Sequence, residues 1–443
     1  MIMKKLYVVF LSAVAALGFC HAQSSLESVK QDPEKAAALY YVYDYKADPV
    51  LPAAPKGYKP FYISHFGRHG ARYALDEYDS LAVWLDKASV ADVLTGSGKK
   101  FKSLYDPFYG TVKNCRGNLT GLGKDQHRTI AARMVRRFPE VFRGDTHVEA
   151  TSTDVPRVIM SMWSFLSSLQ SLDRSISIDA DASSKYASWL QPLSSANPYT
   201  IVGRPRHNEA SEEALEKYFY EVVPCDGIIG KFFKTPDALE SVLNTNPFDF
   251  ILKLHAVISS TRCLDSDRTV FDGILTPEEY SAIWKAVCAR HFVRLANYEG
   301  SGNLTPDYSA FTLEQIIETA DSDISSGNTQ LRLRFGHDSG IMPLLVFMDI
   351  NGFGRSTSSF DEGIEILPDY TVPMGCSVQF VFFRNRSGNV LVQVLLNEKE
   401  VYLPVRAAEG SFYSWTDIKD FYLPRIAASK AKIMEFSPAL RAR

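Results

Sequence analysis

The chain has 443 residues, of which 46% are hydrophobic and 22% charged, and its formal net charge at pH 7 is -3. This composition excludes a disordered or fibrous protein, and the length suffices for two domains or for one domain with a large insertion. The small net charge and the lack of a basic patch argue against nucleic acid as a partner, so an anionic ligand needs a local group of cations.

The first residues have the pattern of a secretory signal peptide. Two lysines precede an apolar run that is too short to span a bilayer, and the small residue Ala22 follows it. We expect residues 1–22 to be removed on export, which gives a periplasmic or extracellular protein without stable membrane insertion. A lipoprotein signal that uses Cys20 is the alternative, but bulky Phe19 stands where such signals have a small residue.

The chain has six cysteines, and removal of Cys20 with the signal peptide leaves an odd number. An odd number over so long a chain excludes a complete disulfide framework. One or two bridges stay open as an alternative in an oxidising compartment. The cysteines concerned are Cys115, Cys225, Cys263, Cys288 and Cys376.

Strand and helix patterns alternate in the first third of the chain. The β-prone run Phe61–Phe66 ends directly before the sequence Gly-Arg-His-Gly. A helix with an N-cap at Thr120 follows, and after a short strand a second helix carries Arg157 in its first turn. Because a cation is unfavourable at the positive end of the helix dipole, this position of Arg157 suggests an anionic contact, and a solvated surface arginine is the alternative.

The middle of the chain, from about Glu209 to Ile324, has a mainly helical pattern. One of its helices begins with a capping box formed by Thr276 and Glu279. A strand pattern returns at Leu331 and ends directly before Gly-His-Asp. A hairpin with an Asn-Arg-Ser-Gly turn and a last helix then close the chain.

This order of elements predicts an α/β fold in which a mixed, mainly parallel sheet is flanked by helices and an all-helical cap domain is inserted. We expect the α/β core at residues 23–165 and 328–443 and the cap at residues 166–327. In such sheets ligands bind at the carboxyl ends of strands. Both Arg-His-Gly-Ala-Arg and Gly-His-Asp fall at predicted strand ends.

The residues of these two motifs suit chemistry on a phosphate monoester. The planar guanidinium groups of Arg68 and Arg72 can hold phosphate oxygens through paired hydrogen bonds. A neutral imidazole at His69 can attack phosphorus, and the neighbouring cations disfavour its protonated form. Asp338 is then the candidate acid for the leaving alkoxide and the base for water, with His337 as a hydrogen-bond donor to phosphate.

With these residues the chain resembles the histidine acid phosphatases, the branch of the histidine phosphatase superfamily that includes phytases and multiple inositol polyphosphate phosphatases. The resemblance rests on four motifs in family order: RHGAR, LTGLG, STDVPR and GHD. It implies a histidine phosphatase core with a helical cap, and no metal ion or other cofactor. It also implies a phosphohistidine at His69, Asp338 as proton donor, and a phosphate pocket formed by Arg68, Arg72, Arg157 and His337.

Two departures from the family pattern concern the substrate. Many members have proline soon after the second arginine, where this chain has Tyr73 and Ala74. Animal-type inositol polyphosphate phosphatases commonly have His-Ala-Glu where this chain has His-Asp-Ser from His337. The resemblance favours inositol polyphosphates such as phytate, and a broad-specificity acid phosphatase acting on sugar phosphates and other monoesters is the alternative.

Other interpretations of the same residues carry less weight. His65 and His69 have the spacing of two metal ligands on a helix, but a strand that runs into a glycine turn does not keep that geometry, so we expect His65 to be buried and hydrogen-bonded. Asp179 and Asp181 resemble the paired carboxylates of magnesium-dependent phosphatases, but the polar residues before them indicate a solvated turn. A phosphoryl-transferring mutase and an inactive phosphate-binding protein remain alternatives.

Overall fold

A computed structural model of the chain describes residues 24–195, 197, 208–302 and 304–436. The expected signal peptide at residues 1–22, and Cys20 within it, lie outside these residues. Within the described residues, no helix is both long enough and apolar enough to cross a bilayer.

The described strands form a single sheet. In chain order they are β1 (Lys59–Arg68), β2 (His147–Ser152), β3 (Ser177–Ala182), β4 (Leu331–Gly336), β5 (Ser377–Arg384), β6 (Val390–Leu396), β7 (Lys399–Glu400) and β8 (Phe412–Ser414).

The described helices lie between and after these strands, together with a few short 3-10 turns such as Pro33–Tyr40. In chain order they are α1 (Ser25–Gln31), α2 (Glu77–Val90), α3 (Gly96–Val112), α4 (Gly121–Arg137), α5 (Pro156–Leu172), α6 (Ala187–Leu190), α7 (Glu209–Val222), α8 (Cys225–Phe232), α9 (Pro247–Ser260), α10 (Pro277–Leu295), α11 (Thr305–Ser326), α12 (Asp338–Phe347), α13 (Phe360–Ile366) and α14 (Trp415–Phe436).

The sheet has the strand order β3-β2-β4-β1-β5-β6-β7, and β8 pairs with β6. Strands β3, β2, β4 and β1 are parallel to one another, whereas β5 is antiparallel to β1 and β6 is antiparallel to β5. Strand β6 therefore runs in the same direction as the parallel four. The prediction of a mixed, mainly parallel sheet flanked by helices is confirmed.

The central strands are buried on both faces because helices cover each side of the sheet. Ile63 of β1 packs in one apolar core with residues of α4 and α5. Its neighbours Tyr62 and Phe66 point to the other face and pack with α11, α12 and α14. Phe66 is 1% exposed, and burial of such a side chain stabilises the fold by about 1.5–3 kcal/mol.

Alternating arginines in β4 are not solvent-exposed, although the alternation would suit a half-exposed strand. Arg334 is fully buried under α11. Its guanidinium donates to Gln315 Oε1 at 2.6 Å, Thr319 Oγ1 at 2.6 Å and Ser64 Oγ at 2.8 Å. Each of these acceptors compensates part of the desolvation of the charge.

Helix ends agree with the capping residues in the sequence. Thr120 Oγ1 accepts the Gly123 N–H at 3.1 Å and caps α4. Both halves of the predicted capping box between Thr276 and Glu279 are present at the start of α10. The predicted last helix, α14, continues to Phe436, and it packs on α11.

A third apolar core lies among helices. Helices α2, α3, α8, α9 and α10 all contribute to it. The expected domain boundaries stay a proposal, with the α/β core at residues 23–165 and 328–443 and the cap at residues 166–327. The contacts of three elements refine these boundaries. Strand β3 lies after residue 166, within the expected cap, but belongs to the sheet. Helices α2 and α3 lie before residue 166, within the expected α/β core, but pack among the cap helices.

The segment that contains Asp179 and Asp181 is an edge strand rather than the predicted solvated turn. It forms β3, which pairs in parallel with β2. The prediction failed because an edge strand needs partners on one side only and therefore tolerates polar residues. The side chains of Asp179 and Asp181 are 86% and 49% exposed.

The five cysteines in the described residues are free thiols, so none of the disulfide bridges left open by the sequence is present there. Cys263, Cys288 and Cys376 are buried, whereas Cys115 and Cys225 are half-buried.

Candidate active site

The parallel pairing of β1 and β4 brings the two sequence motifs together. Arg68 lies opposite Gly336 in the register of these strands. The His69 N–H donates to the Gly336 carbonyl at 3.0 Å. Because parallel strands end at the same edge of the sheet, the residues that follow them share one site.

A glutamine that the sequence analysis did not single out holds the turn after His69. Gln126 Oε1 accepts the Ala71 N–H at 2.8 Å, and its Nε2 donates to the Met374 carbonyl at 2.7 Å. The turn lies against the start of α4, where a Cβ on Gly70 would be 2.4 Å from the Gly123 carbonyl oxygen. Only glycine fits this close approach of two backbones.

His69 is a buried, neutral imidazole with a defined tautomer. Its Nδ1 lies 2.9 Å from the Gly70 carbonyl oxygen, and since a carbonyl only accepts, Nδ1 carries the proton and Nε2 carries the lone pair. Burial holds the pKa of His69 well below its ordinary value, and the charges of Arg68 and Arg157 lower it further.

Arg68 and Arg72 are held by different contacts. Arg68 is buried, donates from Nη1 to the Val372 carbonyl at 2.7 Å, and has its Nε 3.6 Å from Asp338 Oδ1. The guanidinium of Arg72 stacks on the Tyr40 ring, 4.9 Å from its centroid, and donates to Tyr40 Oη at 3.1 Å. No sequence motif indicates Tyr40, which precedes β1 by many residues.

Arg157 lies in the first turn of α5, as predicted, and its side chain makes no hydrogen bond or ion pair within the described part of the chain. Its Nε is buried without an acceptor. Burial lowers the pKa of Arg157 to about 10, so the side chain is still cationic at neutral pH. Its charge lowers the pKa values of both His69 and His337, which shows that it lies close to them.

His337 and Asp338 lie at the start of α12. The ring centroids of His337 and His69 are 5.7 Å apart, and His337 Nε2 lies 3.2 Å from Thr153 Oγ1. Burial, followed by the charge of Arg157, lowers the pKa of His337 to about 4. Burial by itself would raise the pKa of Asp338. The charges near this carboxyl group, first that of Arg68, outweigh burial and lower the pKa of Asp338 below its ordinary value.

A cavity of about 360 Å³ separates these residues from two helices. We call the residues at the ends of β1 and β4 the strand wall: Arg68, His69, Arg72, His337 and Asp338. Arg68, Arg72 and Asp338 line the cavity on that side. We call the polar residues of α9 and α10 that line the opposite side the helix wall: Asp249, Lys253, His255, Arg290 and His291.

The helix wall could not be found from sequence, because its residues have no distinctive spacing along the chain. His255 and His291 both line the cavity, although neither has a partner at a distinctive spacing in the sequence. His255 Nε2 lies 2.9 Å from the Ala36 carbonyl oxygen, and His291 Nδ1 lies 2.8 Å from Asp369 Oδ2.

His65 is buried as expected but is not hydrogen-bonded within the described residues. Its ring packs between Phe165 and Phe335, at centroid distances of 5.3 Å and 5.7 Å. Burial lowers its pKa to about 3, so it is a neutral aromatic packing residue. No group of three or more metal-binding side chains occurs in the described part of the chain.

Residues 67–198 match the family model described as histidine phosphatase superfamily (branch 2). The matched segment contains Arg68, His69, Arg72 and Arg157. The match confirms the resemblance to the histidine acid phosphatases that the four motifs indicate. No curated protein matches the chain.

Solved structures with the same fold include two kinds of phosphatase. The multiple inositol polyphosphate phosphatase of Bifidobacterium longum, in complex with inositol hexasulfate, superposes with a TM-score of 0.70 at 18% identity, covering 87% of this chain and 97% of that one. The phytase from D. castellii superposes with a TM-score of 0.66 at 15% identity, covering 89% of this chain and 85% of that one. At these identities the likeness shows the fold.

Fold, family match and site together define the class of protein as a phosphoric monoester hydrolase. Within that class the chain resembles the histidine acid phosphatases over the segment that the family model matches, and it shares the fold of a phytase and of a multiple inositol polyphosphate phosphatase.

Proposed function

We propose that the protein hydrolyses phosphate monoesters in two steps through a phosphohistidine at His69, and that its substrates are inositol polyphosphates such as phytate. The observation that carries the proposal is the neutral His69 ring, protonated at Nδ1 and in the electrostatic field of three arginines. An imidazole with a free Nε2 lone pair is a nucleophile, and the arginines supply the charge that a phosphate needs.

In this proposal Arg68, Arg72, Arg157 and His337 bind the phosphate that is transferred. Arg157 is unpartnered and cationic, so a bound dianion would supply the acceptor that its buried Nε lacks. Neutral His337 acts as a hydrogen-bond donor and does not add charge. The arginines also stabilise the charge that develops on the equatorial oxygens as the ester bond breaks.

In the first step the lone pair of His69 Nε2 forms a bond to phosphorus while the bond from phosphorus to the ester oxygen breaks. The leaving oxygen takes its proton from Asp338. In the free protein the arginines keep Asp338 ionised, but a bound phosphate dianion adds a negative charge beside it and thereby raises its pKa. We therefore expect the proton to be present in the complex at acidic pH.

In the second step the carboxylate of Asp338 removes a proton from water, and the resulting hydroxide attacks phosphorus. The bond from phosphorus to Nε2 breaks, and its electron pair returns to the imidazole. Inorganic phosphate leaves, and Asp338 is again protonated for the next substrate molecule.

The size of the cavity and the basic side chains on its far side support a substrate larger than a simple phosphate ester. The helix wall adds Lys253, Arg290 and His291 to a pocket that already holds Arg68 and Arg72. The likeness in fold to a phosphatase crystallised with inositol hexasulfate agrees with this substrate class. The pattern of the first 22 residues further supports export to the periplasm or the medium.

The test is phosphate release from phytate and from an aryl phosphate, measured from pH 4 to pH 8 without added metal and with a chelator. Wild type should act on phytate far better than on the aryl ester, and His69→Ala should be inactive on both. Hydrolysis of the aryl ester alone would make the protein a general acid phosphatase. Transfer to excess acceptor alcohol without net hydrolysis would instead make it a mutase-like enzyme.

A further inference from the structure

Thr153 is a buried residue that directly follows β2, four positions before Arg157 in the STDVPR motif. Its N–H donates to the Phe335 carbonyl at 3.3 Å, which extends the pairing of β2 with β4 by one residue. Its own carbonyl accepts from Ser152 Oγ at 2.9 Å, and the residue is 2% exposed. The backbone of Thr153 is therefore held against the strand that ends directly before His337.

The side chain of Thr153 contacts one nitrogen of the His337 ring. Thr153 Oγ1 lies 3.2 Å from His337 Nε2, and this is the only hydrogen bond of the hydroxyl group within the described residues. Both residues are buried, so bulk water does not compete for this bond. Because Nε2 is occupied by Thr153, the other ring nitrogen, Nδ1, is the one left for a ligand.

Only one tautomer of neutral His337 satisfies both members of this pair. If Nε2 carried the proton, it would donate to Oγ1, and the hydroxyl proton of Thr153 would be buried without an acceptor. If Nδ1 carries the proton, the hydroxyl group donates to the lone pair of Nε2, and both groups are satisfied. The ring stays neutral because burial, followed by the charge of Arg157, lowers the pKa of His337 to about 4.

The tautomer decides what His337 can contribute to a phosphate site. The charges of Arg157, Arg68 and Arg72 all act on this ring, so the ring lies among the cations of the strand wall and of α5. A nitrogen that carries a proton donates to a phosphate oxygen, whereas a nitrogen with a lone pair repels it. The Nδ1–H tautomer is therefore the one that can bind the anion.

We propose that Thr153 is a positioning residue, which donates its hydroxyl proton to His337 Nε2 and thereby holds the imidazole as the Nδ1–H tautomer that binds the transferred phosphate. The inference rests on the proposed function and specifies how one of its phosphate-binding groups is prepared. Thr153 itself does not touch the substrate. The STDVPR motif then serves the phosphate twice, directly through Arg157 and indirectly through Thr153.

The test measures the tautomer of His337 and the affinity for inorganic phosphate in the same variants. Thr153→Val keeps the shape of the side chain and removes the hydroxyl group, whereas Thr153→Ser keeps the hydroxyl group. The matched control is Thr146→Val, because Thr146 directly precedes β2, is buried, and has no hydrogen-bond partner for its Oγ1 within the described residues.

Nitrogen-15 NMR of histidine-labelled protein at pH 7 distinguishes a protonated ring nitrogen from an unprotonated one. The signals of His337 are those that disappear in His337→Gln. Calorimetry measures the binding of inorganic phosphate, and thermal unfolding checks that every variant is folded.

We expect wild type to have the proton of His337 on Nδ1 and Thr153→Val to move it, wholly or in part, to Nε2. Thr153→Val should bind phosphate about three- to tenfold more weakly, as for the loss of one hydrogen bond. Its kcat/KM for an aryl phosphate should fall by at least the same factor. Thr153→Ser should restore the tautomer and bring the phosphate affinity to within about twofold of wild type, and Thr146→Val should change neither.

Three results would overturn the role of Thr153. The first is a wild-type protein with the His337 proton on Nε2, and the second is a Thr153→Val variant with the tautomer and phosphate affinity of wild type. The third is a Thr153→Ser variant as impaired as Thr153→Val, because the hydroxyl group is then not the cause. If tautomer and affinity change as expected but no ester is hydrolysed by wild type, the role of Thr153 in anion binding stands and the proposed phosphatase function fails.

Discussion

The two walls of the cavity are built in different ways. The strand wall is fixed by the backbone, since His69 and Gly336 are joined by a hydrogen bond between neighbouring strands. The helix wall consists of side chains on α9 and α10, whose positions depend on how those helices pack. A wall fixed by sheet register suits chemistry that tolerates little displacement, whereas a wall of helix side chains suits recognition of the substrate.

The walls also differ in electrostatics. His69 and His337 are buried and their pKa values are lowered by burial and by the surrounding arginines. On the helix wall His291 is 23% exposed, and Lys253 pairs with Asp76 at 2.8 Å near the surface. If the two walls have the proposed roles, changes in the strand wall should affect every substrate, and changes in the helix wall should affect only substrates with several phosphates.

The largest expected effect is that of His69→Ala. Because the variant has no nucleophile, we expect kcat to fall by at least about 10⁴-fold for phytate and for an aryl phosphate alike. The measurement is initial-rate phosphate release, with inorganic phosphate binding as the control for an intact pocket. Activity within about tenfold of wild type on either substrate would show that His69 is not the nucleophile.

The second prediction concerns Asp338→Asn and depends on the leaving group. An amide cannot donate the proton that an inositol oxygen needs, so kcat for phytate should fall by about 10²–10⁴-fold. A nitrophenolate leaves without a proton, so formation of the phosphohistidine from the aryl ester should be affected much less. Burst kinetics with the aryl ester measure this step, and an equal loss in both substrates would exclude Asp338 as the proton donor.

The sign of the pH dependence follows from the same residue. The pKa of Asp338 lies below its ordinary value in the free protein and is raised by a bound phosphate dianion. The complex that reacts is the one in which Asp338 is protonated, and its population therefore falls as pH rises. We expect kcat for phytate to decrease from acidic toward neutral pH, and an optimum above neutrality would contradict the assignment.

The strand wall could be predicted from the sequence because its residues are local to two motifs. Arg68, His69 and Arg72 are close along the chain, and the apolar runs before both motifs indicate strands that end at one edge. Tyr40 and Gln126 carry no such signal, since their contacts with the motif exist only in the folded chain. The residues of the helix wall were missed for the same reason.

Errors in the prediction arose where local pattern and tertiary environment disagree. The polar segment at Ser177–Ala182 was interpreted as a turn, but pairing with β2 makes it an edge strand. His65 was expected to be hydrogen-bonded because buried polar groups usually are. Its position among Phe165 and Phe335 could not be inferred from one sequence.

The fourth prediction uses His65→Phe to separate stability from catalysis. In the folded protein the pKa of His65 is about 3, below the ordinary value near 6.5, so the unfolded chain binds the extra proton. Its contribution to stability is therefore lost as pH falls from 6.5 toward 3, by about 2 kcal/mol at pH 5. We expect His65→Phe to lose less stability than wild type between pH 7 and pH 5.

Denaturant unfolding at the two pH values measures this difference. His147→Gln is the matched control, because His147 is the first residue of β2 and its side chain is 28% exposed. The control should follow the wild-type pH dependence. If His65→Phe does so as well, the unfolding of the protein is not sensitive to protonation of this buried ring.

The smallest expected effect is that of Tyr40→Phe, which tests how the strand wall is supported. The variant loses the hydrogen bond between Tyr40 Oη and Arg72 but keeps the ring on which the guanidinium stacks. A hydrogen bond to a charged group contributes a net stabilising free energy of at most about 1.5–3 kcal/mol. In the variant the Tyr73 carbonyl, 2.8 Å from Arg72 Nη1, still holds the guanidinium. We expect KM for the aryl phosphate to rise about two- to fivefold with kcat little changed.

Tyr40→Ala removes the ring as well and should raise KM further, because Arg72 then has no surface against which to stack. The comparison of the two variants separates the hydroxyl from the ring. Equal KM values for both variants would show that the hydrogen bond alone orients Arg72. If KM rises for phytate only, Tyr40 does not support the strand wall. It would instead contribute to recognition of the rest of the substrate.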